Sequence, residues 1–151
     1  MKTRLNPYAL AGEGIQGLLA VEKYVHGCGL EAPLLHLIKM RASQMNGCAY
    51  CLHMHSKDAR AGGESEARLY LLDAWRESVM YTPRERAALA WTEALTDITA
   101  GHASDAVYEE VRAAFSEKEV ADLTIAIMMI NGWNRLAIGC RSRHPDDRAP
   151  G

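Results

Sequence analysis

The spacing of apolar residues along the chain predicts α-helices. After Thr82, apolar side chains recur at intervals of three and four residues, which places them on one face of a helix. These residues are Ala88, Trp91, Leu95 and Ile98. No run alternates strictly between polar and apolar residues for long enough to predict a strand. The pattern therefore predicts an all-α protein.

Capping and helix-breaking residues divide this pattern into about six to seven helices. Two S/T-x-x-E capping boxes begin at Thr82 and Ser116. Asn46 or Gly47 is expected to cap the helix that begins at Cys48. The expected helices cover residues 8–25, 33–44, 48–61 and 65–75, and three more follow Thr82, Ser104 and Ser116. Because the connections are short, we expect a single-domain antiparallel helical bundle over residues 1–140, followed by a polar tail at 141–151.

Composition and charge argue against a nucleic-acid or membrane partner for this protein. The 151 residues include 17 Lys and Arg against 19 Asp and Glu, so a basic nucleic-acid-binding surface is not expected. The longest apolar stretch, 125–130, is far shorter than the roughly 20 residues that span a bilayer, and the first residues lack a signal-peptide pattern. We therefore expect a cytoplasmic protein without a nucleic-acid or membrane partner. The last helix is apolar around most of its circumference, which predicts that part of it is buried by a second subunit.

Four cysteines are too few for a secreted disulfide scaffold of this size. Cys28 and Cys140 are expected to be packing thiols, whereas Cys48 and Cys51 form a C-x-x-C motif, which in a cytoplasmic protein indicates redox or metal chemistry. On a helix, Cys48, Cys51 and His55 fall within an arc of about 60°. His53 lies on the opposite side of that helix.

This column of side chains suits thiol chemistry. Unpaired N–H groups at the start of a helix stabilise a thiolate, and His55, one turn beyond Cys51, can take its proton. Neighbouring thiols can also form a disulfide after oxidation. Two alternatives remain: an inert pair, or a zinc site in which Cys48, Cys51 and His55 are joined by His36 or another residue. His36 itself is either a partly buried histidine or a second member of a proton relay.

Three segments resemble the alkylhydroperoxidase AhpD-like core of the carboxymuconolactone decarboxylase-like superfamily. They are Arg-Ala-Ser-Gln-Met-Asn-Gly-Cys-Ala-Tyr-Cys-Leu-His-Met-His at 41–55, and the segments 84–94 and 131–137. The resemblance covers roughly residues 30–138. It implies an all-helical fold that assembles into trimers or hexamers. It also implies reduction of hydroperoxides in antioxidant defence, with no bound cofactor and with an external dithiol reductant, a lipoyl or thioredoxin-like protein.

Carried onto this chain, the resemblance assigns three roles. Cys51 is the cysteine oxidised to sulfenic acid, Cys48 is the proton donor and resolving cysteine, and His55 is the relay base. The chain departs from the family pattern at two positions. His36 stands where the relay usually has a glutamate, and Tyr50 stands between the cysteines where a histidine is common. His36 is therefore a candidate relay residue that can carry protons but supplies no fixed negative charge.

The sequence thus predicts a peroxiredoxin-type oxidoreductase that reduces hydroperoxides through a C-x-x-C pair. The alternatives are a disulfide-exchange adaptor for a partner peroxidase and a non-catalytic metal-binding oligomer.

Overall fold

The structure, a computed structural model, describes residues 2–147 and contains only helices and connecting loops in that range. The all-α prediction is therefore confirmed. The α-helices are α1 (Pro7–Leu10), α2 (Gly12–Gly27), α3 (Ala32–Asn46), α4 (Ala49–Ala61), α5 (Glu66–Leu71), α6 (Pro83–Thr96), α7 (Ile98–Gly101), α8 (Asp105–Ala114) and α9 (Glu117–Cys140), with a 3-10 turn at Leu72–Ala74 after α5.

The predicted number of helices was wrong, because the described residues form nine α-helices rather than six or seven. The two additional helices, α1 and α7, have four residues each, which is too short for a hydrophobic period to appear. Local chemistry accounts for α1: the Asn6 side chain accepts the N–H of Tyr8, and Pro7 occupies the first helical position. Helix α7 ends at His102, which adopts a left-handed backbone conformation with φ of 48°.

Both capping boxes are present as predicted. The Thr82 and Ser116 hydroxyls accept the N–H of Glu85 and Glu119, and each glutamate binds back to its capping residue. The expected cap at Asn46 or Gly47 was wrong. Gly47, with φ of 65°, ends α3 in the left-handed conformation, and Cys48 caps α4 by accepting the N–H of Cys51 at 3.3 Å from its Sγ.

Helix α3 lies among α4, α6 and α9, and α9 also contacts α2 and α6. The antiparallel bundle arrangement remains a prediction. By length and composition alone, α9 could cross a membrane: its most apolar window has a mean hydropathy of 1.2. Half of that window is buried inside the protein, and a core helix has the same composition. The contacts of α9 with five other helices, α2, α3, α4, α6 and α8, therefore account for much of its apolar character.

Candidate functional site

The two C-x-x-C cysteines are joined to each other at the start of α4. A disulfide connects Cys48 and Cys51, whose Cα atoms are 5.3 Å apart. Both residues are buried, with 1% and 2% of their surface exposed. Three positions along the first turn of a helix bring two side chains side by side, which is why this spacing allows the bond.

Cys51 lines a cavity of about 640 Å³. Its wall is formed by residues from α2, α3, α4 and α9, together with Thr3, residues 5–8 and residues 142–143 near both ends of the described residues. His55 and His36 line the same cavity. The structure therefore brings three of the four predicted site residues to one cavity and joins the fourth, Cys48, to Cys51. The catalytic roles assigned to these residues remain predictions.

His55 is one turn beyond Cys51 and is buried, with 7% of its surface exposed. Burial, reinforced by the positive charge of Lys39, lowers the pKa of His55 from 6.5 to about 4, although Asp58 and Glu22 oppose the shift. Its Nδ1 lies 3.7 Å from a carboxylate oxygen of Asp58. His55 is consequently neutral at physiological pH and has a nitrogen that can accept a proton.

His36 lies on α3 and approaches the end of α4. Its pKa is also lowered, mainly by burial, while the nearby Asp58 acts in the opposite direction. A Cβ on Gly62 would lie 3.3 Å from the Nε2 atom of His36, so the absence of a side chain at Gly62 permits this approach. His36 and His55, which both line the cavity, are thus neutral at neutral pH.

A buried ion pair in the cavity wall was missed by the sequence analysis. Lys39 on α3 is only 5% exposed and binds Glu22 on α2. Trp133 on α9 donates its indole N–H to the other Glu22 oxygen at 3.2 Å. Burial alone would raise the pKa of Glu22, but the hydrogen bond and charge of Lys39 and the indole N–H outweigh it, and the pKa is lowered.

Position 36, where the family pattern has a glutamate, holds a histidine in this chain. Glu22 on α2 therefore supplies a negative charge to the wall of the same cavity. A signal for this pair exists in the sequence, because Lys39, like His36, interrupts an apolar stretch of α3 from Leu34 to Met40. A buried lysine needs a counter-charge. Its partner on another helix could not be identified from spacing.

A buried amide cluster fixes the turn that leads into Cys48. The side-chain nitrogen of Asn46 donates to the Oδ1 atoms of Asn131 and Asn134 on α9, at 2.9 Å and 2.8 Å. Asn134 in turn donates to Ser43 on α3 at 3.0 Å. These bonds hold the end of α3 against α9 and account for the position of Gly47 and Cys48.

His53, Cys28 and Cys140, the other residues that the sequence analysis considered, do not line the cavity of Cys51. His53 faces the C-terminal segment, as its position opposite the cysteine column predicts, and stacks on His144. Cys28 is half-buried and Cys140 is buried, and both are free thiols. The zinc alternative with Cys48, Cys51 and His55 needs thiolates, which a disulfide does not offer in this redox state.

Comparison with known proteins places these residues in a family. The sequence profile of the Carboxymuconolactone decarboxylase family matches residues 11–94, more than half of the chain. The uncharacterized protein YdfG of Bacillus subtilis (strain 168) is 41% identical over 143 residues, which cover 95% of this chain and 97% of YdfG.

Solved structures of similar fold also match this chain. One from Agrobacterium tumefaciens, described as a protein of unknown function with a suggested identity as antioxidant defence protein AhpD, is 46% identical with a TM-score of 0.93. It covers 97% of this chain and 100% of its own. A peroxidase-related protein with an alkylhydroperoxidase AhpD core, from Ralstonia eutropha JMP134, has a TM-score of 0.80 at 19% identity, over 92% of this chain and 74% of its own; it supports the fold alone. With its AhpD-like fold and its C-x-x-C pair, this chain belongs to the Carboxymuconolactone decarboxylase family.

Proposed function

We propose that this protein is a thiol-dependent hydroperoxide reductase that acts on organic hydroperoxides through Cys48 and Cys51. The observation that carries this proposal is the position of the cysteine pair. Cys51 lines a large cavity beside a neutral, buried His55, and Cys48 lies close enough to bond to it. The proposal includes a role in antioxidant defence in the cytoplasm.

The reaction would follow from this geometry in two steps. In the reduced protein, His55 takes the proton of Cys51, and the resulting thiolate attacks the terminal oxygen of the hydroperoxide. The O–O bond breaks, the departing alkoxide takes a proton and leaves as an alcohol, and Cys51 becomes a sulfenic acid. The Cys48 thiol then attacks Cys51, water leaves, and the Cys48–Cys51 disulfide forms. The pKa of about 4 leaves His55 unprotonated at neutral pH, so a ring nitrogen is available to accept the proton.

The wall of the cavity favours an organic group on the peroxide. Most of the surface of the wall of the cavity that Cys51 lines is apolar, and Leu35, Met54, Ile130 and Leu136 contribute to it. A cavity of about 640 Å³ is larger than hydrogen peroxide needs. An alkyl or aryl hydroperoxide would bury its carbon atoms against this wall and present its oxygens to Cys51.

The burial of the disulfide bears on the choice of reductant. A dithiol must reach Cys51, a residue that is 2% exposed and lines the cavity. A slender lipoyl arm meets this requirement more easily than the surface of a thioredoxin-like protein. We therefore propose a lipoyl-type dithiol donor as the partner that resets the pair. The same burial disfavours the adaptor alternative, which requires exchange with a protein thiol.

Self-association into trimers or hexamers is a separate part of the proposal. Met128 and Ile138 on α9 are 60% and 45% exposed, although α9 is otherwise a core helix. These side chains support the expectation that a second subunit covers part of this helix.

Peroxide oxidation of the reduced protein tests the proposal. With one equivalent of cumene hydroperoxide, we expect the intact mass to fall by about two mass units and the peptide map to show a Cys48–Cys51 bond. Cys48→Ser should accumulate a sulfenic acid at Cys51 that dimedone traps, and Cys51→Ser should lose turnover. Cys28→Ser is the matched control and should behave as wild type.

Full peroxide turnover by Cys51→Ser would overturn the proposal. The adaptor alternative is distinguished by a second assay with dihydrolipoamide as the only reductant. A reductase consumes the hydroperoxide catalytically under these conditions, whereas an adaptor does so only after its partner peroxidase is added.

A further inference from the structure

A second cluster of side chains lies on the face of α4 opposite Cys51. The segment 142–147 folds over this face, and the rings of His53 and His144 stack with centroids 3.8 Å apart and an interplanar angle of 17°. Their side chains are 26% and 15% exposed. Asp147 binds Nδ1 of His53 at 2.6 Å, and Asp146 pairs with Lys57. The proposed peroxide chemistry uses none of these groups.

The donor atoms of this cluster are close together. His53, His144 and Asp146 each offer one ligand atom, and these three atoms lie within 4.8 Å of one another. Two imidazoles and one carboxylate form a donor set that zinc and neighbouring divalent transition metals favour, with water in the remaining position. A small inward movement of the side chains would bring the atoms to the spacing of a metal coordination sphere.

The surroundings favour the ligand form of each group. Asp147 holds Nδ1 of His53, which leaves Nε2 free, and a carboxylate behind a histidine is the usual outer shell of a metal ligand. Asp146 accepts a hydrogen bond from Lys57, and Asp147 is hydrogen-bonded to Nδ1 of His53. A metal ion would replace Lys57 on Asp146 and the 3.2 Å bond from the Asp146 N–H to Nδ1 of His144.

We propose that His53, His144 and Asp146 bind one divalent transition-metal ion, with Zn²⁺ as the best match. The ion would link the C-terminal segment to α4. Because Ser142 and Arg143 line the Cys51 cavity, this link would also hold part of the cavity wall in place. The proposal does not depend on peroxide reduction, and the site differs from the zinc alternative at Cys48, Cys51 and His55.

Zinc titration of the full chain in its disulfide form tests this site, since oxidation withdraws Cys48 and Cys51 as ligands. With zinc chloride as the probe, calorimetry should show one Zn²⁺ per chain. Zinc should also slow hydrogen exchange of the backbone amides in residues 142–147. His53→Ala/His144→Ala should lower the affinity at least tenfold, whereas His102→Ala, which removes an exposed histidine elsewhere, should leave it unchanged.

Three results would overturn the proposal: no zinc binding by the oxidised wild-type protein, equal binding by the folded double variant, or binding that leaves the exchange of residues 142–147 unaffected. Circular dichroism of the double variant verifies that it is folded. His53 lies on the outer face of α4, His144 lies in the segment that follows α9, and neither belongs to the buried core.

Discussion

Lys39 on α3 forms an ion pair with Glu22 on α2 inside the wall of the cavity that Cys51 lines. The pair places one positive and one negative charge in largely apolar surroundings. The positive charge helps to keep His55 neutral, and the negative charge partly offsets this effect. The electrostatic environment of the cysteine site therefore depends on a helix contact that is distant in sequence from the C-x-x-C motif.

Removing the acidic partner should destabilise the protein. Glu22→Gln leaves the buried Lys39 ammonium without a counter-charge, and we expect a loss of about 3 kcal/mol in the free energy of unfolding, measured by urea denaturation. The control is Glu22→Gln/Lys39→Met, which removes both charges and should recover most of the loss. A double variant as unstable as the single one would show that the charge is not the cause.

Stability should fall in mild acid because of His55. Its pKa is about 4 in the folded protein and near 6.5 when unfolded, so the unfolded state binds the proton first as the pH decreases. The contribution of the neutral His55 to the free energy of unfolding is complete above pH 6.5 and is lost as the pH falls towards 4. Between pH 7 and pH 5 the free energy of unfolding of the oxidised wild-type protein should fall by about 2 kcal/mol more than that of the His55→Gln variant.

Denaturation at several pH values checks this difference. Carboxylates titrate in both proteins, so the comparison with His55→Gln isolates the histidine. Parallel pH profiles of the two proteins would contradict the assignment. His102→Gln, at an exposed position, serves as the control and should retain the wild-type profile.

Removing the side-chain N–H groups of Asn46 at the end of α3, which donate to Asn131 and Asn134, should destabilise the protein. Asn46→Asp keeps the shape of the side chain but removes both N–H groups and adds a charge facing the oxygens of Asn131 and Asn134. We expect a loss of about 3 kcal/mol. The same change at Asn6, where the side chain is exposed and acts only as an acceptor, should be nearly neutral. Equal effects at the two sites in thermal denaturation would contradict this role.

Gly47 should be sensitive to substitution for backbone reasons alone. Its φ is 65°, and a Cβ there would meet no atom within 4 Å, so Gly47→Ala is strained without a steric clash. We expect a loss of about 1 kcal/mol. Gly17→Ala, in ordinary helical conformation on α2 with equally open space, should instead stabilise by up to about 1 kcal/mol. Chemical denaturation of both variants measures the contrast, and changes of the same sign would refute it.

Local features of the fold and of the site were predictable from the sequence. The capping boxes at Thr82 and Ser116 depend on residues three positions apart, and the column of Cys48, Cys51 and His55 depends on the period of a single helix. Sequence spacing encodes such relationships directly. The all-helical class followed from the same periodicity.

Features formed between distant segments were not predictable in this way. Glu22 and Lys39 are 17 positions apart on different helices, and nothing in the local pattern pairs them. The cap of α4 was assigned wrongly because Asn46, a good capping residue by type, uses its side chain to bind α9. The tertiary contact outweighed the local preference, and Cys48 took the capping position.

Segments near both ends of the described residues meet beside the cavity: the Arg4 N–H donates to the carbonyl of Cys140 at 3.0 Å, and Thr3, residues 5–8 and residues 142–143 form part of the wall. These segments lie outside the stretch of residues 11–94 that matches the family. Part of the cavity wall is therefore encoded outside the segment that contains the cysteine pair. Exchanging these segments between relatives would change the shape of the cavity while leaving the cysteine helix intact.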